Sequence, residues 1–66
     1  MKIRLNGEEY SLPDQVSILG LITHLELEPK KVAVERNLEI VPKSCHGETM
    51  LQDGDSIEIV EFVGGG

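Results

Sequence analysis

The apolar residues of this chain change period twice, and those changes set what it can fold into. At the start they alternate: Ile3 and Leu5 face one way, Lys2 and Arg4 the other, which is the period of a strand with one buried side. Asn6-Gly7 follows, a strong hairpin signal because a type I′ turn needs positive φ at both central residues. The return strand runs from Glu8 to Leu12 with Tyr10 and Leu12 inward, and Pro13 ends it because proline has no N–H for the ladder. From Ser17 the period becomes helical. Ile18, Leu21, Ile22 and Leu25 stand at i, i+3, i+4 and i+7, one apolar stripe suited to lie across a sheet. Ser17 is the expected N-cap, and Val16 can staple against Leu21. Gly20 falls in the first turn, where its missing side chain is expected to let the helix approach the sheet. Pro29 disfavours helical backbone at Glu28, so the helix stops there or earlier.

The period then returns to two. Val32-Ala33-Val34-Glu35-Arg36 reads as a third strand with Val32 and Val34 inward, Asn37 as a turn, and Glu39-Ile40-Val41 as a short fourth strand closed by Pro42. Residues 43–50 show no clear period and are expected to form loop or a brief helical turn. Asp53-Gly54-Asp55 is a tight turn, and Ser56-Ile57-Glu58-Ile59-Val60 is the last strand. The order ββαβ(β)β predicts an α+β layer pair, a mixed sheet of four to five strands with one main helix on one face. The first and last strands can pair in parallel through the long connection between them.

Sixty-six residues make one domain, divided here into a folded body, residues 1–63, and a flexible Gly64-Gly65-Gly66 tail. A chain of this size buries only about 60% of its unfolded surface, so small folds usually lean on disulfides, metals or very regular packing. Cys45 is the single cysteine, and with His24 and His46 it completes the Cys and His content. That leaves no internal disulfide and too few ligands for a four-coordinate zinc, so packing must hold the fold. A formal net charge of −6 and two aromatic residues, Tyr10 and Phe62, argue against nucleic acid, which calls for clustered cations and stacking platforms. The acidity suits docking onto a basic protein surface. No apolar run approaches a membrane span, nor does Met1-Lys2-Ile3-Arg4 lead into a secretory signal. The expected location is cytoplasmic.

Three glycines directly after a strand can enter a cleft too narrow for any side chain, and extended they reach roughly 10 Å. A terminal carboxylate, ionised at neutral pH, resists nucleophilic attack. Adenylation by ATP makes its carbonyl electrophilic and supplies AMP as leaving group, so a sulfur nucleophile can leave a terminal thiocarboxylate. The competing reading is a frayed end or a scar of recombinant expression.

Taken together, the ββαβ(β)β order, Val34-Glu35-Arg36-Asn37-Leu38-Glu39-Ile40-Val41-Pro42, the Leu51-Gln52-Asp53-Gly54-Asp55-Ser56-Ile57 turn and the ending Val63-Gly64-Gly65-Gly66 resemble the thiamine-biosynthesis sulfur carriers, the ThiS family. The resemblance spans essentially the whole chain and implies the ubiquitin-like β-grasp fold. It implies a carrier and not an enzyme: Gly66 is adenylated by an E1-like, ThiF-type adenylyltransferase that uses ATP. Gly66 then becomes a 1-thioglycine with sulfur drawn from a cysteine desulfurase relay, and a ThiG-type thiazole synthase takes the sulfur up. Gly65 corresponds to the second residue of the family's Gly-Gly end, and Gly64 is an additional tail position. Two alternatives share the tail: the small subunit of molybdopterin synthase, and a ubiquitin-like modifier conjugated through Gly66. A binding module with an inert tail is a third. The molybdopterin chains are usually longer, carry more proline and end in Ala-Gly-Gly, whereas no proline follows Pro42 here.

Around this core reading, Cys45-His46 is an ordinary loop pair before it is a nucleophile and base, since nothing obvious orients the imidazole. His24 reads as a boundary residue of the helix. No catalytic and no metal residues are assigned, and no bound cofactor is expected. On the last strand, Glu58, Val60 and Phe62 face away from the inward Ile57 and Ile59, and Val60 with Phe62, an apolar pair beside the tail, is a candidate docking patch. Glu58 and Glu61 are candidate partners for basic residues on the activating enzyme. Alternatively, Phe62 folds over the sheet edge as local packing.

Overall fold

The computed structural model describes residues 1–13 and 15–62. Five strands form one mixed sheet: β1 (Lys2–Leu5), β2 (Glu8–Ser11), β3 (Val32–Arg36), β4 (Glu39–Val41) and β5 (Ser56–Glu61), ordered β2-β1-β5-β3-β4. The sequence's last strand lies at the centre. It runs parallel to β1, with Arg4 opposite Ser56, and antiparallel to β3, with Val34 opposite Ile59. The single helix α1 (Ile18–His24) crosses one face. Ile18, Leu21 and Ile22 of its stripe bury against Ile3, Val32, Val34, Ile57 and Ile59, with Leu12 and Leu51 closing the core. Leu25, the fourth stripe residue, is half-buried beside them. Tyr10, inward on edge strand β2, is half-buried and meets His24 edge to face at 6.1 Å. No helix among the described residues is long and apolar enough to cross a membrane.

Local chemistry explains the helix ends. The first N–H groups of a helix lack partners within its own turns, and here those of Ile18, Leu19 and Gly20 are met from outside, before Leu21 makes the first regular bond. Thr49 and His46 carbonyls accept from Ile18 and Leu19, the Ser17 hydroxyl from Gly20 at 3.0 Å, and the Ser17 carbonyl from Leu21. Residues 43–50, aperiodic in sequence, are therefore the cap of α1: a single 3₁₀ turn at Lys43–Cys45 leads into the carbonyls that do the capping. His46 is buried, and because a carbonyl can only accept, its Nε2–H donates to Val41 at 3.0 Å and ties the segment to β4. At the other end Glu26 takes φ 61°, Leu27 N–H donates to Ile22 and Glu26 N–H to Thr23. This is a Schellman closure with glutamate where glycine is usual. The helix thus stops before Pro29, which opens a second 3₁₀ turn, Pro29–Lys31.

Two expectations need correction. Gly20 does not serve approach to the sheet: a Cβ there would meet Val16 Cβ at 3.3 Å and Ser17 Oγ at 3.4 Å, so glycine makes room for the incoming chain. The β3–β4 turn also uses two left-handed residues, Asn37 at φ 52° and Leu38 at φ 72°, where the sequence points to Asn37 alone.

Candidate functional site

The helix covers one face of the sheet and leaves the other open. Strand alternation sends Ala33, Glu35, Ile40, Glu58 and Val60 to that open face. There they line, with Phe62, a shallow cleft of about 250 Å³. Ile40 is 67% exposed, Val60 58% and Phe62 47%, a contiguous apolar patch on an acidic molecule. Glu35 and Glu58 stand directly opposite each other across β3 and β5. Like charges in that relation are unfavourable, and the ion pairs among the described residues, Lys2–Glu9 and Arg36–Asp55, leave both without a cation.

Glu58, Val60 and Phe62 are thus brought together as the sequence suggested. Glu61 is not: it pairs with Val32 at the end of β5, exposed, outside the cleft lining. Ala33, Glu35 and Ile40 join the site without having been singled out. Period two on β3 and β4 would have shown them, but only once β4 was known to pair with β3 and β3 with β5. Phe62 also packs locally, with its ring 5.9 Å from the Lys43 ammonium. Gly64, Gly65 and Gly66 lie outside the described residues.

The other chemical candidates are placed as structural parts. Cys45 is half-buried, with its sulfur 4.0 Å from Ser44 Oγ, and the His46 ring is committed to Val41. Among the described residues no three His, Cys, Asp or Glu side chains converge as metal donors. Asp55 is buried and accepts from Gln52 N–H at 2.8 Å, Arg36 Nε at 3.0 Å and Asn37 Nδ2 at 3.2 Å. Burial raises its pKa, but these three donors and the guanidinium charge outweigh that and hold it below the ordinary carboxylate value.

Comparison with known proteins places this arrangement. The model of the ThiS family matches residues 3–66. The sulfur carrier protein ThiS of Bacillus subtilis is 46% identical over 65 residues, covering 97% of this chain and 98% of its own length. The crystal structure of the thiamine biosynthesis protein ThiS from Geobacter metallireducens superposes over 100% of both chains with a TM-score of 0.85 at 28% identity. A thiazole synthase of Paramagnetospirillum magneticum is 48% identical over 66 residues, and this chain spans only 20% of that relative's length. One helix on a five-stranded mixed sheet is the ubiquitin-like β-grasp, and with the match running from Ile3 to the last glycine the chain belongs to the ThiS family.

Proposed function

We propose that this protein carries sulfur for thiamine biosynthesis as a thiocarboxylate on Gly66. The observation that carries the reading is a family match that includes the glycine tail, on a body whose central strand leads into that tail beside an open apolar cleft. In the first step a carboxylate oxygen of Gly66 attacks the α-phosphorus of ATP, pyrophosphate leaves, and an acyl-adenylate forms. A sulfur nucleophile from a desulfurase relay then adds to the carbonyl and AMP leaves with the C–O bonding pair. With a relay persulfide as that nucleophile the adduct is an acyl disulfide. A second thiol attacks its relay-side sulfur, the relay sulfur ends in a disulfide, and the S–S bonding pair stays on the acyl sulfur as the 1-thioglycine. The chain supplies the reacting group and its handle, residues 1–63; a ThiF-type adenylyltransferase supplies ATP binding and acid–base chemistry. A thiazole synthase consumes the sulfur, a partnership supported by relatives with that name that contain a stretch matching this whole chain. These steps take place in the cytoplasm.

The activating enzyme docks on the open face. Ile40, Val60 and Phe62 give up exposed apolar surface there, and a guanidinium or ammonium from the partner relieves the repulsion between Glu35 and Glu58. Glu61 contributes at the margin. Gly65 and Gly64 admit the tail to the nucleotide site because neither has a Cβ.

Intact mass spectrometry of the protein from its own host tests the reading. The expected result is a mass gain equal to exchanging one oxygen for sulfur, located at Gly66, and its loss when the activating enzyme is deleted. Isopeptide adducts of Gly66 on the lysines of other proteins, with no thiocarboxylate, would overturn it in favour of a modifier.

A further inference from the structure

The root of the tail is held by the last rung of the β3–β5 ladder and by a side-chain cluster beside it. The Phe62 N–H donates to the Lys31 carbonyl at 2.7 Å. The neighbouring Lys30 carbonyl accepts from the Lys43 ammonium, also at 2.7 Å, and the same ammonium stands 5.9 Å from the centroid of the Phe62 ring, within reach of a cation–π attraction. One side chain therefore joins the 3₁₀ turn before β3 to the residue from which the tail continues. Lys43 is brought there by its own anchored segment. Pro42 sets an extended backbone at the end of β4 (φ −60°, ψ 148°). The His46 bond to Val41 and the Leu19 bond to His46 then fix the following turn. A free surface lysine would lose rotamer freedom on being pinned, so the two partners must act together to hold it.

We propose that Lys43 is a positioning residue: it clamps Phe62 and so fixes the point from which the chain continues toward Gly66 when the activating enzyme docks. The proposal rests on the carrier reading above. The chain beyond Phe62 is short, reaching roughly 3.3–3.6 Å per residue, so the place where Phe62 is held limits where the carboxylate can meet the ATP α-phosphorus. Attack requires reacting atoms near 3–3.5 Å with the correct approach. Lys43 itself is absent from the cleft lining, but Phe62, which it holds, is part of it. Loss of the clamp should therefore lower the rate of adenylation within the docked complex and, through Phe62, also weaken docking modestly.

The test compares wild type, Lys43→Met and Lys43→Arg, using pyrophosphate release by a ThiF-type enzyme at saturating ATP and varied carrier concentration. Amide hydrogen exchange at Phe62 in each free protein provides the second readout. Lys43→Met is expected to lower kcat roughly 3- to 10-fold, the scale of one exposed cation–π contact plus one net hydrogen bond. Its KM should rise by no more than a few-fold, because Phe62 is loosened in the cleft while Ile40 and Val60 stay in place. Phe62 exchange should speed up by a similar factor. Lys43→Arg keeps the charge and a donor, and should restore both readouts. Unchanged Phe62 exchange in Lys43→Met overturns the proposal, as does a defect confined to KM or one that arginine fails to restore. A wild-type chain that is not adenylated overturns the carrier reading, and Phe62 exchange then decides alone whether the clamp exists.

Discussion

Asn6 and Asn37 hold corresponding places in the two hairpins, and each reaches into the central strand. The Asn6 N–H donates to Ile57 O while its side-chain oxygen accepts from Ile59 N at 2.8 Å. The Asn37 N–H donates to Ser56 O and its side-chain oxygen accepts from Ser56 N at 2.9 Å. Asparagine tolerates left-handed backbone, so one residue type both makes the turn and plugs it onto β5. The residues that follow differ. Gly7 takes φ 84° without a Cβ, whereas Leu38 takes φ 72° and is 85% exposed. An L-residue with a side chain loses about 1–2 kcal/mol in this region, and glycine's extra unfolded-state freedom offsets part of any relief, about 0.5–1 kcal/mol. Leu38→Gly should therefore stabilise the fold by about 0.5–1 kcal/mol, read as a higher urea midpoint at unchanged slope. A midpoint that stays put or falls would mean that the leucine makes a compensating contact.

Strand β5 shows how one element serves two purposes. Its odd positions, Ile57 and Ile59, are core; its even positions, Glu58 and Val60, face the open side. Mutations on the two faces should separate stability from docking. Ile59→Ala should cost about 2–5 kcal/mol by leaving a cavity under the helix. Val60→Thr keeps the β-branched shape and should change stability by less than about 0.5 kcal/mol. Burying its hydroxyl unpaired at the docked interface should nonetheless weaken affinity for the activating enzyme by roughly 5- to 10-fold. Calorimetry on the variants and a binding titration check both halves; equal affinities for Val60→Thr and wild type would move the docking surface elsewhere. This division was readable in the sequence because a strand's period is two and its outer apolar residue stood out beside glutamates. Ser17 was readable as the N-cap of α1, but the rest of the cap was not. Carbonyls carry no sequence signal, and residues 43–50 satisfy the helix with backbone atoms of Thr49 and His46. The clamp at Lys43 escaped for a related reason, since a lysine thirteen residues from Lys30 gains meaning only when both 3₁₀ turns meet beside Phe62.

At the scale of the whole molecule, a one-sided core needs ties at the sheet's rim, and Asp55 is one. It gathers the turn before β5, through Gln52, and the end of the β3–β4 hairpin, through Arg36 and Asn37, with its side chain only 8% exposed. Its backbone carbonyl meanwhile accepts from Arg4. Because the donors hold its folded pKa below the unfolded one, the unfolded chain binds the proton first as acid is added. The stabilisation is therefore complete above the ordinary carboxylate range. It begins to fall from about pH 4 and is gone once pH passes below the folded value. Net charge acts in the opposite direction: with a formal charge of −6, protonation of surface carboxylates first relieves self-repulsion. Wild-type stability alone would mix the two effects, and a comparison with Asp55→Asn isolates one. The variant leaves donors underused and should be less stable by about 1–3 kcal/mol at pH 6. Because both proteins share the remaining surface charges, the gap should narrow steadily from pH 4 to pH 2.5 as wild type loses the Asp55 contribution. Urea midpoints at half-unit steps of pH measure it. A gap that stays constant down to pH 2.5 would show that Asp55 holds the rim by shape and hydrogen bonding alone, with no part played by its charge.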